Sequence, residues 1–193
     1  MDSRYDPSLL HSFAAWLDSH AWSTALHESL WVWPLVESTH VLAVALFVGV
    51  LVMVDLRLLG VAFKDTSVSA MTSRVLPWSI AGFCIMVVSG LLLFYSNPVH
   101  FAHNIWFRAK LILLVVAAIN AWAFHRRVSR DREHWDSRPR PPLSVRLVAA
   151  TSVSVWAGVI FAGRMIAYNW FECGPDQSAF IIWAAGCAVE PTL

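Results

Sequence analysis

Residues 33–56 read WPLVESTHVLAVALFVGVLVMVDL. Between Glu37 and Asp55 the sole ionisable side chain is His40, and no turn signal interrupts the run. About 20 residues of helix cross a hydrocarbon layer ~30 Å thick, so this stretch can span a bilayer. Three further stretches share its length and character: Val75 to Tyr95, Ile105 to Phe124 and Leu147 to Tyr168. A membrane β-barrel would show short alternating segments, whereas these runs are continuously apolar. Of the 193 residues, 58% are apolar and 14% charged, against roughly 45–50% and about 25% in an ordinary soluble domain. The excess has to face lipid. The expected fold is all-α, an integral-membrane four-helix bundle over residues 31–168. A net charge of +1 removes the electrostatic case for a nucleic-acid partner.

Orientation follows from the cations. Arg57, Lys64 and Arg74 lie between the first two spans; Arg126, Arg127, Arg130, Arg132, Arg138, Arg140 and Arg146 lie between the last two. Ten of the 14 Lys and Arg residues thus fall in two connections on one side, which the positive-inside rule makes cytoplasmic. Both termini are expected outside, in keeping with the acids of the leader from Asp2 to Glu28 and of the tail from Glu172 onward. Trp31, Trp33, Trp106 and Trp170 mark the proposed outer interface, and Trp78 and Trp122 fall near the inner one. The chain opens without a cationic n-region, so no cleavable signal peptide is expected.

Three segments lie outside the spans. In residues 1–30, Leu10, Phe13, Ala14, Leu17, Ala21 and Ala25 recur at a helical period with His11, Asp18 and His20 among them. This segment is too polar to cross; it reads as an amphipathic helix on the outer membrane surface, or as a lid docked on the bundle's outer mouth. Residues 126–146, RRVSRDREHWDSRPRPPLSVR, read as a solvated cytoplasmic loop drawn to anionic headgroups, or as a docking site for a partner. In the tail, residues 169–193, Cys173 and Cys187 flank an apolar run from Ala179 to Val189 that is too short to span. In an oxidising compartment these two can pair, stabilising by about 3 kcal/mol on the chain-entropy account; otherwise they are free thiols. Cys84, alone in the second span, reads as a small core residue.

Ionisable groups within spans are costly and point to function. They are Glu37, His40, Asp55, Lys110, His125 and Arg164. With the Trp belt as border and ~1.5 Å of rise per residue, His40 lies ~11 Å below Trp33, Lys110 ~6 Å below Trp106 and Arg164 ~9 Å below Trp170. Three helices thus bring a histidine, a lysine and an arginine to similar depth, with Glu37 one turn above His40. His125 lies ~17 Å deeper than His40, whereas the two axial nitrogens of one haem iron stand about 4 Å apart. One iron therefore cannot take both. A haem at His40 would leave its other axial position empty, or take Lys110, His100, His103 or a residue of a neighbouring chain. The structural alternatives are a His40 hydrogen bond to Glu37 or Ser89, snorkelling of Lys110 and Arg164, a helix-end anchor at Asp55 and Arg57, and a headgroup boundary at His125.

The segments ESTHVLAVALFVGVLVMVDLRLLG, VLPWSIAGFCIMVVSGLLLFYSNP, NIWFRAKLILLVVAAINAWAFHRR and SVWAGVIFAGRMIAY resemble, in order and spacing, an uncharacterised bacterial family of four-helix inner-membrane proteins over residues 28–168. More distantly, His40, Arg57 and Lys110 look like the His, Arg and Lys pattern of membrane protoporphyrinogen oxidase, whose resemblance implies bound haem b. The stretch THVLAVALFVGVL is similar to the first helix of copper-resistance D-type membrane proteins.

Three readings follow. In the first, the chain is a haem b-binding redox protein with His40 as axial ligand and Lys110 and Arg164 facing haem propionates or a quinone-like substrate. In the second it handles copper, with His11, His20, His27, His100 and His103 feeding His40, although the spans hold only Met53, Met86 and Met165 as soft ligands. In the third it is a cofactor-free anchoring subunit of a larger membrane complex. The partners implied are the lipid bilayer, a quinone or a periplasmic redox or metal partner, and further copies or other subunits.

Overall fold

The computed structural model describes residues 5, 8–128, 135–168, 171, 173 and 177–188, with backbone alone at 127 and 128. Asp2, Arg130, Arg132, Trp170, Glu172 and Val189 lie outside the described residues. Short helices α1 (Leu9–Asp18) and α2 (Ala21–His27) precede the long α3 (Val32–Leu59) and α4 (Val68–Ser96). A short α5 (Pro98–Ala102) leads into α6 (Ile105–Ala123), which runs into a π-helical turn, Phe124–Val128. The last long helix is α7 (Leu143–Met165), and α8 (Ala179–Ala185) lies in the tail. Apart from one isolated antiparallel bridge between Tyr5 and Cys187, the described residues form helices and turns.

The segments Val32–Leu59, Val68–Ser96, Ile105–Arg126 and Leu143–Tyr168 are each long and apolar enough to cross a membrane, with mean hydropathy between 1.7 and 2.5. Val41, Leu42, Ile80, Val88, Ile112, Ile119 and Leu147 are exposed along them. Such a density of bare aliphatic side chains suits hydrocarbon and not water.

Contacts divide the chain into two compact units. One comprises residues 38–89 and 113–159. Its core gathers Phe47 and Val48 of α3 with Val155, Trp156 and Val159 of α7, joined by Met86 of α4 and Leu113, Leu114 and Ala117 of α6. All four long helices thus contribute to one apolar centre. Gly82 permits close contact between α4 and α3: a Cβ there would stand 3.2 Å from the Phe47 backbone nitrogen. A second cluster in this unit packs Leu58, Val68, Val145 and Ala149 around Trp135.

Within residues 126–146, Trp135 is buried, while residues 137–140 are exposed. Around it the connection is docked. The Asp136 carboxylate accepts from Ser69 N at 2.8 Å and from Ser69 Oγ at 3.0 Å. It caps the positive end of α4, which begins at Val68, earlier than the hydropathy alone places it. α3 ends at Gly60 with φ 72°, where any side chain would be strained and a Cβ would meet the Pro139 carbonyl at 3.1 Å.

The other unit comprises residues 1–37, 90–112 and 160–193. The leader forms two helices with a break at Ser19–His20, where the His20 imidazole Nδ1 donates to the Trp16 carbonyl at 2.9 Å. α1 docks on α5. It does so through His11 and Ala14, while Leu10, Phe13 and Trp16 remain exposed. Ser12 and Asp18 are exposed as well, so α1 is a short docked helix with apolar and polar side chains both outward. Ser23 Oγ donates to the Tyr95 carbonyl at 2.8 Å and Trp33 Nε1 to Ser96 Oγ at 3.2 Å.

Candidate functional site

His40 lies on α3, half-buried. Its Nδ1 stands 3.0 Å from Ser89 Oγ. The single Ser89 hydroxyl proton is committed to the Ile85 carbonyl at 2.6 Å. Ser89 must therefore accept from His40, which puts the imidazole proton on Nδ1 and the lone pair on Nε2. A metal-binding histidine is oriented in the same way, by a hydrogen bond from its other nitrogen. Glu37 is exposed; the bond shown at Nδ1 goes to Ser89 on α4, among the partners anticipated from sequence.

The remaining members of the anticipated set belong to the other unit. Lys110 packs its Nζ over Gly163, 3.5 Å from where a Cβ would stand. Arg164 is exposed and turns along its own helix: its guanidinium lies 5.0 Å from the Tyr168 ring centre and donates to the Tyr168 hydroxyl at 3.1 Å. Trp106, one turn before Lys110, meets Phe161 edge-on, and its indole Nε1 is buried without a hydrogen bond. His100 is half-buried beside Phe101.

His103 is engaged elsewhere. Its Nδ1 donates to the Ala185 carbonyl at 2.8 Å, and its Nε2 lies 3.1 Å from His11 Nδ1. With the His103 proton on Nδ1, Nε2 accepts from the His11 N–H. Both rings are buried, at 4% and 5% exposure, and Tyr5 stacks on His103 at 4.1 Å between centroids. Burial pushes the His103 pKa down; the positive charge of Arg108 and the nearby His11 add to this, against hydrogen bonds to the backbone of Ala185 and Gly186. The neutral, lone-pair-bearing ring is thereby favoured.

Arg108 fixes the same region. It donates through Nε to the Ala102 carbonyl at 2.8 Å and through Nη1 to that of Ala184 at 2.6 Å. Cys173 and Cys187 are joined by a disulfide, with Cα atoms 5.4 Å apart. The leader, the turn before α6 and the tail thus converge on His11, His103 and Arg108. Arg108 drew no attention in the sequence because it lies within a turn of the interface, where a cation is ordinary.

At the other end of α3, Asp55 and Arg57 do not pair. Asp55 is buried, bonded by Ser152, with its Oδ2 unpartnered. Arg57 is 0% exposed and donates to the carbonyls of Thr66 at 2.6 Å and of Asp136 and Arg138 at 3.2 Å each. Among the described residues no group of three or more His, Cys, Asp or Glu side chains is placed to hold a metal ion.

An all-α chain with four long apolar helices is a multi-pass membrane protein. Residues 32–169 match the family of unknown function DUF6644, and the chain belongs to that family. Comparison with curated proteins and with solved structures returned no match.

Proposed function

We propose that this is a haem b-binding redox protein of a bacterial inner membrane, with both termini periplasmic and His40 as axial ligand. The observation that carries the reading is the hydrogen bond from His40 Nδ1 to Ser89 Oγ, which orients the ring and sets its tautomer. Neutral imidazole is a common haem ligand, and an oriented tautomer is what a metal-binding histidine needs. Haem, when bound, would bring one-electron chemistry; the chain's part is to ligate, orient and exclude water. The sidedness is supported by the ten cations in the two connections and by the Cys173–Cys187 disulfide, a bond that persists in oxidising compartments.

The test is the absorption spectrum of the purified protein, with haem extraction. A Soret band is expected, lost in His40→Ala and retained in His100→Ala. Absence of both the band and extractable haem from protein produced with haem supplied would end the reading.

A further inference from the structure

His11 and His103 present an arrangement that the haem reading does not use. Two buried imidazoles from different elements face each other nitrogen to nitrogen at 3.1 Å, sharing one proton. Behind one of them stands a backbone carbonyl, Ala185 O, which holds the proton on the far nitrogen of His103. That is the outer-sphere pattern of a metal-ligating histidine. We propose that His11 Nδ1 and His103 Nε2 form a two-coordinate site for a soft monovalent d¹⁰ cation, Cu(I) or its analogue Ag(I).

The ligand set selects the ion. Zinc in a structural site takes four ligands, and calcium and magnesium take oxygens. The described surroundings offer two imidazole nitrogens. Linear coordination by two neutral donors is a habit of monovalent copper and silver, and imidazole is a good copper ligand. Charge argues the same way. Arg108 and His103 flank Gly186 together, at 3.1 Å and 3.6 Å from the position of its Cβ. A guanidinium so near repels a divalent ion more than a monovalent one.

The geometry requires little movement. Metal–imidazole bonds near 2 Å put linear ligand nitrogens about 4 Å apart. The present 3.1 Å would therefore open by somewhat under one ångström. α1, which carries His11, is short and docks on α5, so it can supply that shift. No electron moves on binding. The proton on His11 Nδ1 passes to its Nε2 by way of solvent, and both ligands remain neutral.

The site is independent of haem at His40, and silver makes the two separable because it needs no reductant and does not ligate haem. Full-length Cys84→Ser protein in detergent, which lacks the free thiol that would itself take up silver, is titrated with Ag(I) by calorimetry. Cu(I) is then titrated under ascorbate, which spares the disulfide, against a chromogenic competitor. One ion per chain is expected, with affinity reduced at least tenfold in His11→Ala and in His103→Ala and no further in the double variant. His11→Asn keeps a donor to His103 but removes the ligand, so it should retain the wild-type melting temperature and still lose the ion. X-ray absorption of the copper form should show two nitrogen neighbours. Unchanged affinity in His11→Asn, or an absence of binding by wild type, would overturn the proposal.

Discussion

Arg57 gives its hydrogen bonds to three backbone carbonyls, Thr66, Asp136 and Arg138, from a fully buried position. It is a staple holding the connection before α4 and the one before α7 to the end of α3. Its nearness to Asp55 in sequence suggests an ion pair, but residues two apart on a helix do not face each other. Replacing Arg57 by Leu takes the guanidinium from the Thr66 and Arg138 carbonyls, while Asp136 O keeps the Val68 N–H at 3.3 Å; a carbonyl left buried and unsatisfied costs about 1–3 kcal/mol. We expect Arg57→Leu to lower stability by several kcal/mol, and Arg57→Lys to recover only part, because a single ammonium lacks the guanidinium fork. Arg138→Ala, altering an exposed side chain, should stay within about 0.5 kcal/mol. Thermal unfolding in detergent reads all three. A second residue-scale expectation concerns His40. Ser89→Ala frees the imidazole to change tautomer, and if haem binds there its affinity should fall by about 10–100-fold, measured by haem transfer to a competing apoprotein. His40 and Ser89 could be named from sequence because each interrupts an apolar span. The His11–His103 pair could not, since the two lie 92 residues apart and meet only through the docking of α1.

At the scale of elements, length and apolar composition sufficed to find the four long helices, since lipid imposes both. Their ends were less legible. The start of α4 depends on an acceptor from far along the chain, Asp136, and the burial of Trp135 anchors a segment whose Arg138 and Arg140 are exposed. Helix contacts were equally hidden, because every face of a span is apolar. The glycines disclose them. A Cβ at Gly82 would lie 3.2–3.3 Å from Phe47 N, Cα and Cβ, so α3 and α4 must part to admit a larger residue. Gly82→Leu should cost about 1–3 kcal/mol through overpacking. Gly49 has nothing within 4 Å of its Cβ position. Gly49→Ala should therefore be neutral or stabilise by up to about 1 kcal/mol, the helix-propensity difference. Melting temperatures of the two variants should move in opposite directions or differ plainly; equal losses would show that the α3–α4 contact is not as close as described.

For the whole molecule, sidedness decides what either candidate site can meet, since a periplasmic His11–His103 pair and a cytoplasmic one would face different metal supplies and redox conditions. Two kinds of observation bear on it independently. The cations concentrate in the connections 57–74 and 126–146, which the positive-inside rule assigns to the cytoplasm. The disulfide at Cys173 and Cys187 lies in the tail, and such bonds form readily outside the cytoplasm but not within it. Four crossings require both termini to share a side, so the two observations agree. Ser19, in the break between α1 and α2, and Ser137, beside Asp136, are both exposed and suit single-cysteine reporters. They are best placed in a Cys84→Ser background, because Cys84 is the free thiol. A membrane-impermeant maleimide applied to intact spheroplasts should label Ser19→Cys and leave Ser137→Cys unlabelled until the membrane is opened. The reverse pattern would invert the topology and place the tail disulfide in a reducing compartment. Labelling of both from outside would mean an even number of crossings between them or leakage, and a cytosolic reporter in the same cells separates those outcomes.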